Sequence, residues 1–240
     1  MMKYNEFKNI LKIINLELKE NQMDLLNKYF EELINYNKHT NLTAIVERKE
    51  VFIKHFFDSL TISQVIDLKN CENLLDIGTG AGFPGVVLKI FYPHLKITLL
   101  DSNQKKINFL KMLVSKLELN DVNFVNDRVE NYSRNNLNKY DIVTARAVSN
   151  LAVLTELAMP LVKENKYFIP LKGSNLEEIN NGLKAIEVMH GQIKEIFSLE
   201  LPENMGRRNV IKIQKKRITK IDELRSYEKI IKKPLQNNCK

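Results

Sequence analysis

A chain of 240 residues and 28.0 kDa is long enough for one well-packed α/β domain with appendages and short for two full-sized ones. With 44% hydrophobic and 28% charged residues it can bury a core, which excludes a disordered protein, and no apolar run reaches the ~18 residues of a membrane span. The net charge of +8 suits a polyanionic partner. Two cysteines, Cys71 and Cys239, with no histidine at ligand spacing, point away from a disulfide framework or a zinc site and toward a cytoplasmic protein.

Residues 1–66 carry helical periodicity, clearest at Leu26, Tyr29, Phe30, Leu33, Ile34 and Asn37, and a further helix is predicted over about 48–66. This gives an N-terminal helical segment packed on the core, whose charged, interrupted apolar positions do not read as a secretion signal. The next domain is taken from residue 67, and from about residue 72 the pattern changes. Short apolar runs at 74–77, 96–100, 122–125, 141–145 and 167–171 alternate with helices predicted at 84–92, 104–118, 149–162 and 174–189. That alternation predicts parallel strands with crossover helices, a doubly wound, Rossmann-like α/β sheet. Runs at 193–201 and 209–215, separated by a turn over 202–208, predict a terminal antiparallel hairpin that closes a domain ending at 215. Residues 216–240 are polar and weakly periodic and read as a mobile basic tail. From Lys212 to Lys240 there are ten Lys or Arg against Asp222, Glu223 and Glu228.

The sequence LLDIGTGAGFPG at 74–85 is a strand entering a glycine-rich loop. Gly80, Gly82 and Gly85 have the spacing of a dinucleotide-binding turn, with Asp101 placed to accept from a ribose diol, so the glycines alone do not choose between a dinucleotide and S-adenosylmethionine. Asp76 discriminates. A carboxylate at the strand end repels a pyrophosphate and favours a cofactor that carries an ammonium and a sulfonium. Asp76, Gly78, Gly80, Gly82 and Asp101 are therefore expected at an S-adenosylmethionine site, with an NAD-dependent oxidoreductase as the alternative.

For the acceptor, the segment after the fourth strand reads TARAVSNL, without the Asn/Asp-Pro-Pro-aromatic motif of exocyclic-amine methylation. Neither cysteine follows strand four or five, which argues against carbon methylation through a thiolate. Ring nitrogens and hydroxyls remain. Guanine N7 has a free lone pair, so catalysis there reduces to positioning, with Arg146 a candidate to orient cofactor or base.

Asn41-Leu42-Thr43, HFFDSL at 55–60, DIGTGAGFPG at 76–85, LLDS at 99–102, Lys105 to Leu110, Arg128-Val129-Glu130, Arg146-Ala147 and Leu171-Lys172-Gly173 together resemble the bacterial 16S ribosomal RNA guanine-N7 methyltransferases, the glucose-inhibited division protein B family. The resemblance implies methyl transfer from S-adenosylmethionine to N7 of one guanine in 16S ribosomal RNA, free or in an assembling small subunit. It also implies cofactor contacts at Gly78, Phe83, Val129, Glu130 and Arg146. Val129 and Glu130 follow the third strand, at the sheet edge where such folds bind ligands, and Glu130 is placed to accept from an adenine amine. Arg128, Lys172, Arg207 and Arg208 read as phosphate or base contacts by charge and position, Arg128 and Lys172 also as positioning groups. Lys54 stands where the family often has Arg, and the tail is shorter than the family's Tyr-Pro-Arg-Lys ending. A monomer is expected, and an inactive RNA-binding protein of the same fold is a further alternative. Removal of 216–240 is expected to weaken RNA binding while sparing the cofactor.

Overall fold

The computed structural model describes residues 2–236; Cys239 and the tail's last four residues lie outside them. Seven strands form one sheet in the order β3-β2-β1-β4-β5-β7-β6. β1 (Asn73–Ile77), β2 (Lys96–Leu100), β3 (Val122–Val125), β4 (Tyr140–Arg146) and β5 (Val162–Lys172) run parallel. β6 (Gly191–Glu200) and β7 (Arg207–Lys215) form the antiparallel hairpin, with β7 added against β5. Strands β1, β2 and β4 are apolar and buried almost throughout because helices cover both faces, the condition under which parallel strands lose their polar alternation. Strand order reverses between β1 and β4, and ligands of open α/β sheets bind at the carboxyl ends of the strands flanking such a switch point.

One face carries the N-terminal helices α1 (Tyr4–Leu11) and α2 (Glu20–Thr40) together with α3 (Arg48–Val51), α4 (Asp58–Leu60), α5 (Gly85–Phe91) and α6 (Gln104–Lys116). Their core joins Phe7, Leu26, Tyr29, Phe52 and Phe56 to Val87, Leu110 and Leu113. The other face carries α8 (Leu151–Ala158) and α9 (Leu176–Val188), through Leu151, Leu154, Ile179 and Ile186. α7 (Val129–Arg134) follows β3. Asparagines at helix starts do local work: Asn103, Asn150 and Asn175 accept from backbone amides of the first turns of α6, α8 and α9.

The structure departs from the sequence expectation in three places. The single helix expected over 48–66 is a composite, in which a π-helical stretch, Phe52–Phe57, sits between α3 and α4 and a 3-10 turn, Thr61–Gln64, ends it. The wider turn places His55 and Asp58 on the same side of the segment, each within reach of Arg146. Helix α7 had no signal beyond the residues of its own short loop. The third departure is the tail. Residues expected to be mobile fold back as α10 (Tyr227–Lys232), with Ile230 buried against Val153 and Leu157 of α8. Arg225 bridges to the buried Glu156 at 2.7 Å, and the Leu235 amide donates to the same carboxylate. A tail with one apolar residue per turn gives little periodicity, but Ile230 and the Arg225–Glu156 pair are enough to seat it.

Candidate active site

The loop after β1 is held by carboxylates from within. Asp76, fully buried, accepts from Thr79 Oγ1 at 2.7 Å and from the Gly85 amide at 2.9 Å, both on Oδ2. Burial raises its pKa to about 7, and Oδ1 is buried without a hydrogen-bond partner. Asp101, directly after β2, accepts from the Gly80 amide at 3.0 Å and from the Asn103 amide at 2.9 Å. Gly82, at φ +102, lies under α2: a Cβ there would stand 2.6 Å from Tyr29 Oη and 2.7 Å from Val86 Cγ2, so only glycine lets the helix cross the loop. Tyr29 Oη donates to the Ala81 carbonyl at 2.5 Å across this crossing.

A cavity of about 190 Å³ opens at the carboxyl edge of β1, β2 and β3. Gly78, Asp101, Asp127, Arg128, Val129 and Glu130 line it from those strand ends, Val148, Ser149 and Val153 from beyond β4, and Tyr227 and Ile231 from α10. Of the residues expected to bind cofactor, Gly78, Asp101, Val129 and Glu130 are on this lining. Gly78 has φ +63, and a Cβ there would meet Val148 Cγ2 at 2.6 Å, on the wall itself.

Asp76, Gly80, Gly82, Phe83 and Arg146 do not line the cavity. Gly80 and Gly82 build the loop, and Asp76 holds it from within β1. Phe83 is buried in an aromatic stack, 5.3 Å from Tyr29 and 4.5 Å from His55 between ring centroids. The guanidinium of Arg146 lies 5.1 Å over the Phe83 ring. It donates to the Lys54 carbonyl and to Asp58 Oδ2, both at 2.9 Å, and to His55 Nδ1 at 3.1 Å. Asp58, fully buried, takes a second arginine on Oδ1, Arg208 Nε at 2.5 Å. Burial and then the Arg146 charge lower the His55 pKa to about 3. The ring is therefore neutral, with Nδ1 between the Arg146 guanidinium and the Lys54 carbonyl, each 3.1 Å away, and Nε2 3.1 Å from Thr43 Oγ1.

A second, more open cleft of about 560 Å³ adjoins the first, lined by Ala147, Val148, Ser149 and Asn150, by Lys172 and Gly173 at the end of β5, and by Arg208. Val148 and Ser149 belong to both clefts. Lys172 enters this cleft already engaged, hydrogen-bonded to the Ser149 carbonyl and paired with Glu178 at 2.7 Å. Arg207 is exposed at the start of β7, away from both linings. Arg128, exposed, pairs with Glu130 at 2.5 Å and stacks 4.6 Å from the centroid of Tyr227.

The fit of the two candidate cofactors can be read from these contacts. A dinucleotide pyrophosphate needs free amides at the start of the helix after the loop, yet the Gly85 amide is taken by Asp76. Asp76 thus acts against a pyrophosphate by filling its seat, where direct repulsion of the ligand had been expected. On the cavity lining Asp101, Asp127 and Glu130 stand against one arginine, which is itself paired with Glu130, while Lys106 reaches Asp101 at 3.6 Å from outside the lining. Such a lining suits a ligand carrying positive charge and no phosphate.

The profile of the GidB family, described as rRNA small subunit methyltransferase G, matches residues 22–211. Proteins called ribosomal RNA small subunit methyltransferase G from Bacillus cytotoxicus and Bacillus cereus are each 46% identical over 221 residues, covering 91% of this chain and 92% of theirs. The chain belongs to the GidB family.

Among solved structures, an S-adenosylmethionine-dependent O-methyltransferase from Thermotoga maritima superposes with a TM-score of 0.53 at 15% identity, over 78% of this chain and 73% of its own. The precorrin-6y C5,15-methyltransferase of Geobacter metallireducens gives 0.51 at 13%, over 65% and 87%. At such identities they establish the methyltransferase fold alone. The GidB match starts inside α2 and stops inside β7, so α1 and α10 lie beyond it. Within the match, Val148 and Ser149 also line the cavity; the sequence places them directly after the fourth strand, the one feature that marks them before folding. Tyr227 and Ile231 carried no signal short of the fold.

Proposed function

We propose that this GidB-family enzyme transfers a methyl group from S-adenosylmethionine to N7 of a guanine in 16S ribosomal RNA. The observation that carries the reading is the shared wall: the cofactor cavity and the open cleft meet at Val148 and Ser149, so two ligands bound side by side would approach across that loop. Bound cofactor supplies an electrophilic methyl on a positively charged sulfur. Gly78, Asp101, Val129 and Glu130 would hold it, Asp101 against the ribose and Glu130 against the adenine amine.

The acceptor base would enter the second cleft, where Asn150, Lys172 and Arg208 present polar groups and Val148 an apolar one. No proton acceptor is required at N7, whose lone pair is free. His55, neutral and enclosed by Arg146, Phe83 and Thr43, supports this arrangement as a strut, because it is committed on both ring nitrogens. Arg146 and Arg208 would act by fixing the cleft's inner wall through Asp58. The protein would work as a monomer in the cytoplasm; no helix among the described residues is long and apolar enough to cross a membrane.

The test is transfer of radiolabelled methyl from S-adenosylmethionine to small-subunit RNA taken from cells lacking this protein, followed by nucleoside analysis. Label in 7-methylguanosine is the expected result. Label in any other nucleoside, or none with RNA, subunits and cofactor all present, would overturn the assignment.

A further inference from the structure

Helix α10 stands outside the family match, yet two of its residues line the cofactor cavity. Tyr227 and Ile231 are four apart, so they share one face of the helix. Tyr227 packs with Arg128 and Val129, which line the same cavity together with Glu130. The opposite attachments are firm. Ile230 is buried against Val153 and Leu157, Arg225 holds Glu156, and the Arg225 guanidinium also donates to the carbonyls of Lys229 and Lys233.

Two details bear on what this face contacts. Ile231 is 46% exposed although it lines a cavity on an otherwise well-anchored helix, and Val148, on the same lining, is 39% exposed. Apolar side chains left open inside one concavity are what a bound ring system would cover. Tyr227 is meanwhile oriented by the Arg128 guanidinium over its ring, and Arg128 is fixed by Glu130. Ring, guanidinium and carboxylate form a short chain from α10 to the start of α7.

We propose that α10 is the outer wall of the cofactor site, with Tyr227 and Ile231 packing on the adenosine half of S-adenosylmethionine and Arg128 serving as the brace that sets the Tyr227 ring. The inference rests on the cofactor reading above. It assigns the C-terminal segment a role in holding cofactor, where the sequence had suggested RNA alone. It also gives Arg128 a different task from the phosphate contact expected of it.

The test is calorimetric titration of the full chain with S-adenosylhomocysteine. Tyr227→Ala is expected to raise Kd about tenfold, the scale of one lost base–aromatic contact. Tyr227→Phe, which keeps the ring, should restore the affinity. Ile231→Ser provides a variant free of folding risk, since that side chain is half exposed, and should weaken binding several-fold. Thermal unfolding of each variant without ligand separates loss of the helix from loss of the contact. Wild-type affinity in both Tyr227→Ala and Ile231→Ser would refute the wall while leaving the cofactor site intact. Failure of the wild-type chain itself to bind would refute the cofactor reading and the wall with it.

Discussion

At the scale of single residues, two buried titratable groups lean in opposite directions. Asp76 is raised by burial from 3.8 to about 7, so the folded chain holds a proton there that the unfolded chain has released. Its contribution is complete below pH about 4 and is lost as pH rises to about 7. His55 is lowered from 6.5 to about 3, so the unfolded chain binds a proton that the folded chain refuses. Its contribution is present above 6.5 and is lost as pH falls toward 3. Between about 4 and 6.5 the two slopes, each about 1.4 kcal/mol per pH unit, oppose one another. Asp76→Asn, which keeps an oxygen for Thr79 and Gly85, should remove one of them. The excess stability of the wild type over this variant, from urea titrations, should fall as pH rises from 4 to 7 and then level off. A difference independent of pH would mean that Asp76 is ionised throughout.

At the scale of elements, the glycine loop does not stand alone. Helix α2 lies across it, with the Tyr29 hydroxyl on the Ala81 carbonyl and the Tyr29 ring on Phe83. An N-terminal helix outside the sheet thereby fixes the height of the loop after β1. Tyr29→Phe keeps the packing and removes one donor, leaving a buried carbonyl without a partner, which costs about 1–3 kcal/mol. A drop of that size in chemical denaturation is expected. An unchanged urea midpoint would show that the carbonyl finds another donor and that the crossing depends on packing alone.

Over the whole molecule, the doubly wound sheet and its terminal hairpin were legible because buried parallel strands are short apolar runs and the intervening helices keep their periodicity. The strand-to-loop turn after β1 was legible through its glycines, and Asp101 through its place after a strand; Val129 and Glu130 were implied by the family resemblance, with which their place after the third strand agrees. What was hidden depends on long-range closure. Arg146 and Arg208 are 62 positions apart and meet only on Asp58, a residue of the N-terminal helices. Tyr227 reaches Arg128 only because Ile230 and Arg225 seat a segment that looks solvated by composition.

The same closure sorts the basic residues. Lys172 and Arg208 are paired inside the cleft and Arg128 is engaged with Glu130 and Tyr227, so none of the three is simply offered to a phosphate. Arg207 is exposed at the mouth of the hairpin, and Lys229 and Lys233 are exposed on and just after α10. Counterion release ties each phosphate contact to a salt slope of about 0.7 to 0.9, so charges that touch RNA can be counted by titration. Replacing Arg207, Lys229 and Lys233 together with alanine should weaken binding to small-subunit RNA at low salt and reduce the slope of log K against log salt by about 2. Lys172→Ala should leave that slope within about 0.5 of wild type, because its charge is answered by Glu178. The reverse pattern, a slope insensitive to the three exposed residues and sensitive to Lys172, would place the RNA backbone inside the cleft.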